Sequence, residues 1–373
     1  MNFSSTKPRV WVEISSNAII SNLQIVRKQV SPLKIMAVLK ANAYGLGIKK
    51  IANILQKEGI DVIGVAELQE ALEIIKLGIE TQVLGGIIPD EIPPIVANNI
   101  IAPISDLQTA LLINEEAKSQ GKKHPCHILL DTGMGRLGMI CKKAEKVIKK
   151  ISTLPNLNLT GIYSHFPSAN YDPVFSKLQI NNFLELLNKL KKQNIIFQKR
   201  HIANSDGINN ISTATKAPFN MVRTGINLYG VHDLQGSHSV YLKPALTLKT
   251  RLVSVRTLPA NSTIGYGRTY SLHKKTKVGT ISIGYADGFP IALSNRGYVI
   301  IREKICPVIG CVSMDYVTVS LENCPDATPG DEVICIGTQN NNTITVEDYA
   351  QLKGVNPYEI ICSLGNRVKR EYL

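Results

Sequence analysis

The chain has 373 residues, 44% of them hydrophobic, with 42 Lys and Arg against 29 Asp and Glu, a formal charge of +13. That length allows two domains, or one large barrel with an appendage. No run approaches the ~20 apolar residues of a membrane-crossing helix, and the start, MNFSSTKPRVWVEIS, lacks the apolar core of a secretory signal. Much of the positive charge lies in KKAEKVIKK (142–150) and NKLKKQN (188–194), where apolar residues recur at helical spacing. Those lysines read as solvated helix faces, and no aromatic-interleaved basic stripe points to nucleic acid. A basic surface still steers anionic ligands inward. The seven cysteines lie far apart, with no CxxC pair and no metal-ligand spacing. Reduced thiols in a cytoplasmic protein without a metal are the expectation.

In chain order, IMAVLK is an apolar strand, GIKKIANILQKEG a helix, DVIGVA a strand and ELQEALEIIKLG a helix. TQVLGG, IIAPIS, the helix DLQTALLINEEAKSQG and the strand HILLD follow. AEKVIKKIST, LTGIYSHF, FSKLQINNFLELLNKLKKQN, QKRHIANS and MVRTGINLYG continue the alternation. Repeated strand–helix units predict parallel strands with right-handed crossovers. About eight strands over ~230 residues fit a (β/α)8 TIM-like barrel, with a doubly wound open sheet as the rival. Beyond the linker VHDLQGSHSVYLKP the pattern turns β-rich, and helical signal is sparse until VEDYAQLKG. The expected class is α/β plus β: a barrel over residues 1–238 and a mainly β domain over 239–373.

Lys40 closes the first apolar run and is followed by the small-residue loop ANAYGLG. An amine at the mouth of a buried strand loses its proton more easily and forms a Schiff base with a carbonyl. The plainer reading is a lysine snorkelling out of a strand end. His165, Ser205 and Arg223 also sit at or just past strand ends, where a barrel builds its active site.

VLKANAYGLG, DTGMGRLG (131–138), YSHF (163–166), HIANSDG (201–207), MVRTGINLYG (221–230), GYGRTY (265–270), SIGYADGFP (282–290) and CVSMD (311–315) occur in that order. Together, from about Val10 to the terminal RVKR, they resemble the alanine racemases, which use pyridoxal 5′-phosphate. The resemblance implies an internal aldimine at Lys40, whose freed amine then moves the substrate's α-proton on one face. It implies that Tyr266 is the acid/base of the other face, contributed to the partner subunit's site in a homodimer. A free tyrosine has a pKa near 10, so Tyr266 needs a cationic neighbour or hydrogen bonds to its phenolate. The plainer reading of Tyr266 is an aromatic packed on a turn.

By the same resemblance Arg136 lies near the cofactor's phenolic oxygen and the substrate carboxylate, and Arg223 faces the pyridine nitrogen. A permanent guanidinium disfavours a protonated pyridine and so limits side reactions such as transamination. His165 helps to hold this arginine. Tyr44, Ser205 and the backbone N–H groups of Gly225 and Ile226 grip the phosphate, with Asn204 in the same segment. Tyr285 and Met314 line the substrate side. Discrimination per methylene is only ~1–3 kcal/mol, so leakage from alanine to serine is expected.

The chain also departs from the family pattern. Leu129 stands where members often carry a carbamylated lysine, so another partner must orient Arg136: a chloride, Asp131 or Asn204. Ile291 and Cys311 replace arginines, and Asn170 replaces a carboxylate, at the mouth of the family's substrate channel. Asn366 replaces a tyrosine near the phosphate. The leading reading is interconversion of L- and D-alanine for peptidoglycan. The alternatives are a racemase for serine or larger amino acids, a non-catalytic pyridoxal phosphate protein, and a decarboxylase. Tyr266 and the β domain argue against the carrier, and Arg223 against the decarboxylase.

Overall fold

A computed structural model describes residues 8–236 and 240–373. It divides into two compact units. One holds residues 20–228, 235–236 and 240–242; the other holds 8–19, 229–234 and 243–373. The expected boundary at 238/239 lies outside the described residues.

The first strand, β1 (Val10–Ile14), belongs to the β-rich unit although it precedes the whole α/β half in sequence. The α/β unit then contributes β2 (Lys34–Val38), β3 (Val62–Val65), β4 (Thr81–Val83) and β5 (Ala102–Ile104). It continues with β6 (His124–Asp131), β7 (Leu157–Tyr163), β8 (Lys199–His201) and β9 (Met221–Thr224). β9–β2–β3–β4 and β5–β6–β7–β8 are parallel sheets. A parallel bridge between Gln82 and Ile101 joins β4 to the start of β5. Asn220 N–H donates to Arg200 O (3.1 Å) and Arg223 N–H to Ala203 O (3.0 Å), which joins β8 to β9. The eight strands therefore close into the TIM-like barrel, not the open sheet.

Side-chain periodicity explains the helices on its outside. In α1 (Ile48–Lys57), Ile48, Ile51, Ala52 and Leu55 form one buried stripe. In α2 (Cys141–Ile151), Cys141, Ala144, Ile148 and Ile151 are buried, while Lys142, Lys143, Lys149 and Lys150 are exposed. The lysine-rich run is a solvated face, as its spacing predicts. Asp106 caps α3 (Leu107–Ser119), accepting from Thr109 N at 2.8 Å.

The β unit is organised by one long strand, β10 (Leu246–Leu258). Its first half pairs antiparallel with β1, Val10 opposite Thr250, and its second half with β11 (Thr276–Ile281). The sheet also contains the hairpin β12 (Tyr298–Ile301) and β13 (Lys304–Pro307), then β14 (Val317–Ser320), β15 (Glu332–Gln339) and β16 (Lys369–Tyr372). β16 runs parallel to β1, so the two ends of the described chain lie side by side in this sheet.

Candidate active site

Lys40 follows β2 and is exposed. The chain then makes a left-handed turn: Ala41, Asn42 and Ala43 have φ of 53°, 53° and 54°, and Tyr44 has 59°. Left-handed helical backbone costs roughly 1–2 kcal/mol per non-glycine residue. The turn is over-determined by hydrogen bonds. Glu70 accepts from Asn42 N (3.1 Å) and Ala66 N (2.8 Å), and Asn42 Oδ1 accepts from Ile48 N (2.8 Å). It carries Tyr44 into the interior, where the phenol lies over Gly225; a Cβ there would sit 2.1 Å from Tyr44 Oη.

Ser205, just past β8, completes this corner. Its Oγ accepts from Gly225 N–H at 3.1 Å, and Asn204 Oδ1 caps the same short helix by accepting from Gly207 N at 2.9 Å. Ile226 follows as the buried start of a helical turn. Two hydroxyls and a backbone N–H thus converge where only glycine leaves room. That chemistry fits a phosphate.

Arg223 on β9 is 4% exposed. Its Nη1 donates to His201 Nδ1 (2.7 Å). Its Nη2 faces Ser164 O (2.7 Å), Ile202 O (3.1 Å) and His165 Nδ1 (3.1 Å). Tyr163 lies beneath the guanidinium, 5.7 Å from ring centre to Cζ, and stacks on His201. No described carboxylate pairs with Arg223. Burial pushes its pKa down to about 10, with Tyr163 opposing, so it stays charged at neutral pH.

An arginine can only donate, so both facing Nδ1 atoms accept, and His165 and His201 carry their proton on Nε2. His201 Nε2 then meets His127 Nδ1 at 3.4 Å, which puts the His127 proton on its Nε2 as well. That last N–H is buried without a partner among the described residues, packed against Gly161, where a Cβ would lie 2.4 Å away. Burial holds His165 down to about 3, helped by the charges of Arg223, Arg136 and Lys40. Burial likewise depresses His127 to about 3 and His201 well below its ordinary value. The electron-poor end of the site is therefore one guanidinium held by neutral histidines. His201, His127 and Tyr163 carry no role in the sequence reading; the leading histidine of HIANSDG was the available signal.

Leu129 is buried on β6, and Arg136 is exposed on the loop that follows. Asp131 is occupied by Gly133 N (2.8 Å) and Gly135 N (3.1 Å), and Asn204 Oδ1 by Gly207 N. Neither protein candidate for orienting Arg136 does so, and no described residue forms a hydrogen bond or ion pair with it.

The remaining residues lie in the β unit. Tyr266 opens a helical turn (Tyr266–Arg268) and is 75% exposed. Gly265 has a φ of 70°, and a Cβ there would lie 3.2 Å from Cys311 N. Tyr285 N donates to Ser313 O (3.1 Å), which joins the Tyr285 turn to the loop carrying Met314. Cys311 Sγ lies 3.4 Å from Thr269 Oγ1, and Asn295 Nδ2 donates to the same hydroxyl. Tyr266, Tyr285 and Met314 are thus presented by contiguous loops.

A barrel whose strand ends combine a lysine, a cradle of two hydroxyls and a backbone N–H, and a buried arginine with no described carboxylate partner has the groups that suit a phosphorylated cofactor. The family model for the alanine racemase N-terminal domain matches residues 14–233, and that for the C-terminal domain residues 245–372. The alanine racemase of Halothermothrix orenii is 36% identical over 377 residues, covering 100% of this chain and 98% of that protein. The structure of alanine racemase from Clostridium difficile 630 matches with a TM-score of 0.92 at 31% identity, covering 99% of this chain and 96% of that one. That from Bartonella henselae, with covalently bound pyridoxal phosphate, matches at 0.88 and 31% identity, covering 98% and 100%. The chain belongs to the alanine racemase family, whose members depend on pyridoxal phosphate.

Proposed function

We propose that this protein interconverts L- and D-alanine with pyridoxal 5′-phosphate held covalently at Lys40, supplying D-alanine for peptidoglycan in the cytoplasm. The observation that carries the reading is the combination, on one barrel rim, of Lys40, the Tyr44–Ser205–Gly225 cradle and Arg223. When bound, the cofactor withdraws electrons from the substrate's α-carbon and so acidifies its proton. Tyr44, Ser205 and the N–H groups of Gly225 and Ile226 would hold its phosphate. Arg223, which cannot take up a proton, would face its ring nitrogen. Lys40, once freed by the incoming amino acid, moves the α-proton on one face through Nζ. Tyr266 does so on the other face through Oη. Arg136 binds the substrate carboxylate, and Tyr285 and Met314 shape an apolar wall suited to a methyl group.

Tyr266 is assigned to the partner subunit's site in a homodimer; its 75% exposure leaves the phenol available for that role. Among the described residues Arg136 has no partner, so a chloride ion is assigned to it in place of the carbamate that Leu129 cannot carry. Activity should then fall when chloride is replaced at constant ionic strength and ignore added bicarbonate. Chloride indifference would remove the anion. Borohydride reduction of the loaded protein followed by peptide mapping tests the lysine: the modified peptide should contain Lys40. A stable adduct at another lysine would refute the assignment.

A further inference from the structure

The charged residues of the sequence motifs still without a role include Asp287 in YADG, Asp315 closing VSMD, and Arg367 opening the terminal RVKR. The fold brings them together. Arg367 Nε donates to Asp287 Oδ1 at 2.6 Å and its Nη2 to Asp287 Oδ2 at 3.2 Å. The same Nη2 reaches Asp315 Oδ1 at 2.6 Å and Met314 O at 3.4 Å. Asp287 is 2% exposed and also accepts from Gly284 N at 2.9 Å, closing the turn Tyr285–Asp287.

The two loops touch backbone to backbone as well. Ala286 N donates to Met314 O at 3.2 Å, and a Cβ on Gly284 would lie 2.2 Å from that oxygen. Arg367 itself is presented by a stiff bend: Arg370 donates to Gly365 O (2.7 Å), Val368 O (2.6 Å) and Leu364 O (3.0 Å). One guanidinium therefore bridges two loops whose neighbouring residues are Tyr285 and Met314. The planar fork suits this task; an ammonium offers one charge without the bidentate geometry.

We propose that Arg367 is a positioning residue for substrate selection: by clamping Asp287 and Asp315 it fixes the loops that present Tyr285 and Met314 to the amino acid. The proposal rests on reading Tyr285 and Met314 as substrate-side groups. Without the clamp the apolar wall recedes. A wall that binds ground state and transition state alike affects KM more than kcat, and its loss weakens discrimination between small side chains.

Steady-state kinetics on alanine and serine test this for Arg367→Gln, Arg367→Lys, Asp315→Asn, Met314→Ala and Tyr285→Phe. Lys369→Gln serves as the control, since among the described residues Lys369 forms an ion pair only with the nearby Glu371. Arg367→Gln should raise KM for alanine about tenfold while kcat falls less than about threefold, and raise the serine-to-alanine ratio of kcat/KM. Arg367→Lys should recover part of both changes, and Lys369→Gln should match the parent. Asp315→Asn removes the charge from a single exposed contact and should shift the same ratio in the same direction, which covers the case of a poorly folding Arg367→Gln. A lower kcat and melting temperature with unchanged KM and substrate ratio would mean a structural role only and overturn the proposal. If Met314→Ala and Tyr285→Phe also leave the ratio unchanged, the substrate-side reading fails; if they shift it and Arg367→Gln does not, the clamp alone fails.

Discussion

Arg223 sets the chemistry of the barrel rim through what surrounds it. A carboxylate at this point would let a facing ring nitrogen keep a proton; a guanidinium held by neutral histidines does not. Their neutrality has a measurable consequence. In the unfolded chain a histidine titrates near 6.5, whereas burial holds His127 and His165 to about 3 and His124 to about 4 in the folded protein. Between those values the unfolded chain binds more protons, so stability is complete above pH ~6.5 and declines as pH falls. Each such histidine contributes at most about 1.4 kcal/mol per pH unit. Urea unfolding from pH 7.5 to 4.5 should therefore show a steep acid loss, and His127→Gln should flatten it. An unchanged slope in that variant would show that His127 does not stay neutral in the fold.

At the scale of elements, the positions of the candidate site residues could be read from sequence because strand ends carry local signals. Ile35–Leu39 is apolar on both faces, as a barrel strand must be, and Lys40 interrupts it. His165, Ser205 and Arg223 mark the ends of β7, β8 and β9 in the same way. The left-handed turn after Lys40 was not legible. KANAYGLG reads as a flexible small-residue loop, and nothing in the intrinsic preference of Ala41 or Ala43 favours positive φ. The conformation is imposed by Glu70 and by the burial of Tyr44, which are tertiary facts. The place of β1 was hidden for a related reason. VWVEI reads as a short apolar strand, but its partners β10 and β16 lie at the far end of the sequence. The Asp287–Asp315–Arg367 cluster joins segments equally remote in sequence, so motif reading names its members without bringing them together.

On the scale of the whole molecule, the site residues fall into two sets. Lys40, Tyr44, Arg136, His165, Ser205 and Arg223 belong to the barrel unit; Tyr266, Tyr285 and Met314 belong to the β unit. The proposed function requires both sets for one turnover, with Tyr266 supplied by the partner subunit. The most direct measurement is D-alanine formation from L-alanine, by chiral chromatography, for the parent, for Lys40→Ala, for Tyr266→Phe, and for the two variants mixed under conditions of subunit exchange. The parent should reach a racemic mixture, and each variant alone should be at least about a thousandfold slower, the scale of a lost acid/base group. The mixture should regain about a quarter of parental activity, because half its dimers are hybrids with one intact site in two. A parent that forms no D-alanine, or a Lys40→Ala variant that forms it at the parental rate, would contradict the account. Exchange proven by mass spectrometry without recovered activity would contradict the shared site.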